Sequence, residues 1–443
     1  MGIVSRSVVW ALAALLSASS VAVADDAFVL PKGRSVTFLE NLFYFPTSER
    51  FGPHGNPESI ASNFDERRLD SSVFSILRPL DPFVGGSASI GDSHLKFKYH
   101  FDILNFGFAY GITDRLTVGI EIPYYWVHND VSASVNSGPG SSANVGLTTG
   151  PGPGICGSGA PVLPLACPNT RRFTTEDVQR ILGPGLPGIP GFGFKRIRDF
   201  TDDGIGDIQL GAKYQYWRSE DFRLAASAGV RFPTGRQDDI DDLVDISWSS
   251  GAYGLFARLH NDYVISNLWR ATPTPASIQI ARPGDLVLNG TFRYEWVLPD
   301  HVTQRVGDPN TLTTTKENLD RDLGDRFEFE FAVNYHLPTD FLPAGFTASA
   351  LYRYGFKLHD QFTSHRGLPV QPLEKDTDST EQVYVVRLNY STLPLFLEGR
   401  FPVPLDIAVS YRDRFAGSGP RSAGSPSQIL KTQYIGLRIG AAF

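Results

Sequence analysis

The chain has 443 residues, of which 12% are aromatic (31 Phe, 17 Tyr, 6 Trp), with 43 Gly, a single Met and a formal net charge of −7. A mildly acidic balance excludes a basic nucleic-acid binder, and after Leu16 no stretch approaches the roughly 18 apolar residues of a membrane helix, so any crossing of a bilayer must be made by strands. A soluble chain this long would divide into two or three domains, whereas a closed barrel grows by adding strands and remains one unit.

From the N-terminus, Arg6 precedes an uncharged apolar run from Val8 to Leu16, and a region of small residues closes with Ala22-Val23-Ala24. This pattern predicts a secretory signal over residues 1–24 and a mature unit over residues 25–443. A first strand is expected over residues 34–45, followed by a long loop to about residue 93. Residues 94–112 form the next strand, and their alternation changes phase around Asp102-Ile103-Leu104, which reads as a β-bulge. In the segment after it, Leu116, Val118, Ile120 and Ile122 oppose Thr117, Gly119, Glu121 and Pro123, the period-two signature of a strand with one apolar and one polar face.

Residues 130–200 then read as one large Gly/Pro-rich external loop. It holds Cys156 and Cys167, which an exported chain is expected to join in a disulfide, and no histidine or third cysteine accompanies them as a metal site would require. Closing so short a loop stabilises it by roughly 3 kcal/mol in the chain-entropy model. Thr174 and Asp177 are placed to cap a short helix, and the glycines and prolines of residues 183–196 exclude a strand. The loop reads either as a constriction folded over the barrel or as a free external segment.

Clean alternation returns at residues 208–216, 222–232, 286–298, 327–336, 348–357 and 405–412, with less regular strands at 244–260 and 381–393. Between 234 and 243 the run DDIDDLVD begins, carrying Asp238, Asp239, Asp241, Asp242 and Asp245. Its spacing lacks the alternate ligands and central glycine of a calcium loop, so it reads as a solvated acidic loop. Short turns at 113–115, 218–221 and 338–343 alternate with long polar loops, and only residues 257–280 make a long connection on the side of the short turns. In the last strand Ile435, Leu437, Ile439, Ala441 and Phe443 share one face, against Tyr434, Gly436, Arg438 and Gly440. The terminal phenylalanine resembles the signal by which Gram-negative barrel proteins are recognised by their insertion machinery.

Together these segments predict an all-β chain, a transmembrane antiparallel up-and-down β-barrel of about twelve strands in the outer membrane, in contact with lipid and lipopolysaccharide. The stretches YGITDRLTVGIEIP (residues 110–123), DGIGDIQLGAKYQY (203–216) and GVRFPTG (229–235) resemble a family described as putative MetA-pathway of phenol degradation proteins. The resemblance covers roughly the middle third and the C-terminal strand. It implies a barrel channel linked to aromatic catabolism.

Inward positions carry the chemistry of a barrel, because rings of charge there set selectivity. The expected pore-lining residues are Glu121, Lys213, Arg231, Arg293, Arg353, Arg412 and Arg438. Arginine predominates, and its planar fork can hold a carboxylate at two points. A passive channel for small aromatic or acidic solutes is therefore expected. The alternative is that these charges pair across strands and fill the lumen of a structural or surface-interaction barrel. A rim hydrolase would need an activated nucleophile. No His-x-Ser occurs, and the neighbours Asp300/His301 and His359/Asp360 are the remaining candidates, so no enzyme activity, cofactor or metal is expected. Mass spectrometry of the membrane-extracted protein should find Asp25 at the N-terminus, and Met1 at that position would refute the export signal.

Overall fold

The computed structural model describes residues 26–219, 221–269, 282–306, 316–339, 343–420 and 428–443. The expected signal over residues 1–24 and its cleavage site lie outside these, as do parts of the connections around 270–281, 307–315, 340–342 and 421–427.

Twelve strands form the wall: β1 (Ser35–Tyr44), β2 (Ser89–Thr113), β3 (Leu116–Asn136), β4 (Ile208–Arg218), β5 (Phe222–Phe232), β6 (Gly254–Val264), β7 (Leu286–Val297), β8 (Arg326–His336), β9 (Phe346–Lys357), β10 (Ser379–Ser391), β11 (Leu405–Ser418) and β12 (Gln433–Ala442). Each pairs antiparallel with its neighbours in sequence, and β12 pairs with β1, so the sheet closes on itself. At the seam Ser35 and Phe443 exchange backbone hydrogen bonds of 3.0 and 2.9 Å. Closure satisfies every strand edge, which is the condition for placing a sheet in lipid.

The alternation of the sequence becomes inside and outside. Leu39 and Phe43 of β1, Phe106 and Phe108 of β2, and Leu437 and Ile439 of β12 are exposed on the outer wall. So much contiguous apolar surface is untenable in water. Aromatics sit towards both ends of this belt, Trp126 and Trp296 at the end with long loops, Tyr110, Tyr214 and Tyr335 at the other. These are the girdles of an outer-membrane barrel, whose long loops face outward and short turns face the periplasm.

The expected bulge at residues 102–104 is absent. β2 and β3 pair without interruption from Asp92↔Asn136 to Gly111↔Thr117, and the register shifts only at the turn. What changes is the surroundings. Below Asp102 the outward residues meet lipid, whereas above it Lys96, Lys98 and His100 face outward into solvent while Leu95, Phe97 and Tyr99 are buried inward under loops. A straight strand leaving the membrane thus inverts its hydrophobic face. A break does occur opposite Pro123, which has no N–H to offer the ladder. The short strand Phe200–Ile205 pairs with the upper part of β3, Gly206 N–H donates to the Pro123 carbonyl at 2.7 Å, and β4 resumes the pairing from Gln209.

The β2–β3 hairpin projects beyond the wall as a platform for the loops. Ile60 and Ala61 of the first loop and Val244 and Ile246 of the third pack on Leu95, Phe97, Tyr99 and Val127. A second cluster joins Phe74 and Leu77 to Val145, Phe173 and Phe192 and to Val178 and Ile181 of α1 (Thr175–Leu182). Helix α1 has the expected cap: the Thr174 hydroxyl accepts from the Asp177 N–H and the Asp177 carboxylate from the Thr174 N–H. Burying a large apolar side chain contributes about 1.5–3 kcal/mol, so these clusters make the external loops a folded cap. The strand expected at 244–260 is Gly254–Val264, which leaves residues 233–253 as a single external loop. The long connection towards the periplasm correspondingly begins after Val264, with the turn Ile265–Leu268.

Cys156 and Cys167 are joined within the cap. Thiol labelling of the denatured, unreduced protein should give no adduct. Two labelled cysteines would show the bridge to be missing.

Candidate functional site

The barrel interior is built in three levels. At the periplasmic end the segment 26–31 enters the lumen, and Ala27, Phe28, Val29 and Leu30 are each at most 3% exposed. Asp262 Oδ1 accepts from the Ala27 N–H at 3.0 Å and Thr117 Oγ1 from the Leu30 N–H at 2.7 Å. Gln215 Nε2 donates to the Ala27 carbonyl and Lys213 Nζ to the Asp26 carbonyl, both at 2.8 Å. Phe28 and Leu30 pack with Val36, Ala442 and Leu393, and the short helix Leu393–Leu397 folds beneath them. Sequence reasoning missed this segment. Its signal was the apolar run Ala27 to Leu30, too short to read as a strand.

Above it lies a cavity of about 180 Å³ lined by Phe28, Leu30, Phe38 and Phe256 together with Glu121 and Lys213. Cavities of about 150 Å³ suffice for a benzene ring. Glycines create this space. A Cβ on Gly107 would fall 2.1 Å from Phe38 Cε1, and one on Gly229 would fall 2.4 Å from Phe256 Cζ, so both rings lie directly on backbone. Gly119 and Gly211, between them on the wall, leave the cavity open.

The middle level is charged. Arg231 bridges Glu295 and Asp207, both at 2.7 Å, and Arg293 reaches Glu295 at 2.6 Å. Arg353 pairs with Glu330 at 2.6 Å, and Arg414 pairs with Glu381 at 2.8 Å. Arg412 is 4.0 Å from Glu381 and lies over the Tyr434 ring at 5.5 Å. All seven positions expected on the inner face therefore point inward, but they do not form one ring. Glu121 and Lys213 border the cavity, Arg231 and Arg293 share a network, and Arg353 and Arg412 belong to other pairs. Arg438 differs from them. It is 1% exposed, its guanidinium lies 3.9 Å over the Phe38 ring, and none of its three nitrogens has a hydrogen-bond partner among the described residues.

At the outer rim, the Asp–His neighbours do not pair. Asp300 binds Arg321 at 2.8 Å, while His301 turns to Asp320 at 2.7 Å. His359 contacts Thr377 at 3.2 Å, and Asp360 accepts from the Gly324 N–H at 2.8 Å and pairs with Lys357. In the strand that holds Asp300 and His301, adjacent side chains point to opposite faces, so these sequence neighbours separate.

The acidic run is not a solvated loop. Asp239 binds Lys195 at 2.6 Å, Asp245 binds Arg236 at 2.9 Å, and Asp241 holds both Lys316, at 2.6 Å, and Arg305. It fastens three external loops together, because the basic residues it needs are distant in sequence. Burial, reinforced by the neighbouring Asp245 charge, pushes the Asp238 carboxyl up to about 7, and burial pushes Asp245 up to about 6. For an acid whose pKa is raised on folding, the folded state holds more protons than the unfolded one, so stability is lost as pH rises through the folded value. Proteolysis within residues 233–253, normalised to the protease's rate on an unfolded peptide at each pH, should accelerate several-fold between pH 5 and pH 8. Asp238→Asn should flatten that dependence, and an unchanged profile would refute the assignment.

Among curated protein sequences no relative matches this chain. Among solved structures it is similar to an outer-membrane channel from Pseudomonas putida F1, with 12% identity, a TM-score of 0.46, and 94% of this chain and 97% of that one covered. It is also similar to the toluene transporter TbuX of Ralstonia pickettii, with 12% identity, a TM-score of 0.33 and coverages of 96% and 93%. Likeness at this level speaks to neither substrate nor mechanism. A family model described as putative MetA-pathway of phenol degradation matches residues 172–256, which span α1, β4, β5 and the start of β6 and include two of the three stretches singled out in the sequence. In that region the chain resembles the family of putative MetA-pathway of phenol degradation proteins.

Proposed function

We propose that the protein is a passive outer-membrane channel for small aromatic or acidic solutes. The observation that carries this reading is the cavity inside the barrel, walled by Phe38 and Phe256 lying on bare glycine backbone and bordered by Lys213 and Glu121. Such a mixture of apolar surface and a few convergent polar groups suits a small organic ligand. In this reading Glu121, Lys213, Arg231, Arg293, Arg353, Arg412 and Arg438 line the path, and their preponderance of positive charge favours anions. The leader over residues 1–24 directs export, and exposed Phe443 is the handle for insertion.

Segment 26–31 is then the closure. At least four side-chain hydrogen bonds from the wall hold its backbone, each worth about 1 kcal/mol net, so displacing it is easier than opening the wall. A second reading, a structural or surface-interaction barrel, is favoured by the covering of both ends and by the pairing of most interior charges.

Planar-bilayer recording separates the two. Wild-type protein should conduct weakly and prefer anions, and deleting residues 26–31, or combining Asp262→Ala with Gln215→Ala, should raise conductance several-fold. Correctly inserted protein that stays silent with or without the segment would leave the structural barrel standing.

A further inference from the structure

Most interior cations are hydrogen-bonded or ion-paired to a carboxylate, but in one sector of the wall two guanidinium groups have nitrogens with no hydrogen-bond partner among the described residues. Arg438 presents Nε, Nη1 and Nη2, and Arg387 presents Nε and Nη2, as buried nitrogens without a hydrogen-bond partner among the described residues. The two side chains are 1% and 6% exposed. Both point inward and flank the same strand: Arg387 stands opposite Ser410, and Arg438 stands opposite Ala408. Beside these two positions the wall carries the small residues Ala408, Ser410, Gly436 and Gly440, and the buried Asp406 of β11 stands opposite Gly440. Glu40 stands opposite Arg438 in the register, and Glu40, Asp406 and Glu121 act on its charge, but none of them accepts a hydrogen bond from the guanidinium.

A buried guanidinium without a partner is costly, and two of them on one patch amount to unspent binding capacity for an anion. The planar fork of arginine matches a carboxylate at two points. Arg438 also lies 3.9 Å over Phe38, whose ring borders the interior cavity. Apolar ring space and a cationic fork therefore meet at one aromatic side chain.

We propose that Arg387 and Arg438 form a carboxylate-binding station in the barrel wall, which takes the anionic group of an aromatic monocarboxylate whose ring lies on the cavity side at Phe38. This rests on the channel reading and narrows its solute class to ring-bearing carboxylates. Phe38 has to tilt from Gly107 to let ring and carboxylate be held together, since its ring separates the two regions.

Calorimetric titration of the full-length protein in detergent tests the station without requiring conduction. Benzoate should bind saturably. Benzyl alcohol, the same ring without the charge, and acetate, the charge without the ring, should each bind at least tenfold more weakly. Arg438→Gln and Arg387→Gln should each reduce benzoate affinity about tenfold or more, and Arg438→Lys should recover part of it, with heat-modifiable mobility confirming that each barrel has folded. Equal benzoate affinity in wild type and both glutamine variants would overturn the station, as would benzyl alcohol binding as tightly as benzoate. Bilayer conductance of the same wild-type preparation reports separately on the channel, so a conducting barrel with no benzoate preference defeats this inference alone.

Discussion

Backbone hydrogen bonding in a solvent that offers none governs everything else in this molecule. In lipid each unpaired N–H or C=O costs several kcal/mol, so the sheet has to close. Pairing of β1 with β12 achieves this, and the Ser35–Phe443 exchange carries it to the last residue of the chain. Closure fixes which side chains look inward, and it confines irregular backbone to the ends. The interruption in the wall near Pro123 is repaired by Gly206 and by the separate strand Phe200–Ile205.

Once closed, the interior is a confined space in which size and charge must be matched at short range. Glycine and aromatic side chains complement one another there: Phe38 and Phe256 each lie over the glycine directly opposite on the adjacent strand, Gly107 and Gly229, and the neighbouring glycine positions leave room. Charge is matched in the same way. Arg231, Glu295 and Asp207 form one knot, and Arg353 and Glu330 another. Such knots stiffen the wall and cost several kcal/mol to break from one side. Arg387 and Arg438 stand apart from this pattern, and the segment 26–31 and the external cap decide which molecules come near them.

Strand positions were legible in the sequence because β-structure in a membrane writes an alternation of period two wherever one face meets lipid. The seven cleanest segments all became wall strands. Legibility failed where lipid stopped. At residues 94–101 the outward face is polar and the inward face apolar, so an unbroken strand reads as a strand of opposite phase. The same limit hid the role of the acidic run, whose partners Lys195, Arg305 and Lys316 lie 44, 64 and 75 residues from the aspartates they bind. Asp300 and His301 failed for the converse reason, since adjacency along a strand places side chains on opposite faces.

By itself, then, the sequence determined the barrel, its approximate strand count, the cap of α1 and the pairing of the two cysteines. Each of these depends on local periodicity, on residues a few positions apart or on there being only two thiols. Tertiary structure alone decided which interior charges neutralise one another, that Phe38 and Phe256 shape a cavity, that residues 26–31 enter the lumen, and that the external loops form a cap. Those outcomes depend on the shear of a closed sheet, which sets residues from distant strands side by side. No pattern within a single segment encodes that juxtaposition.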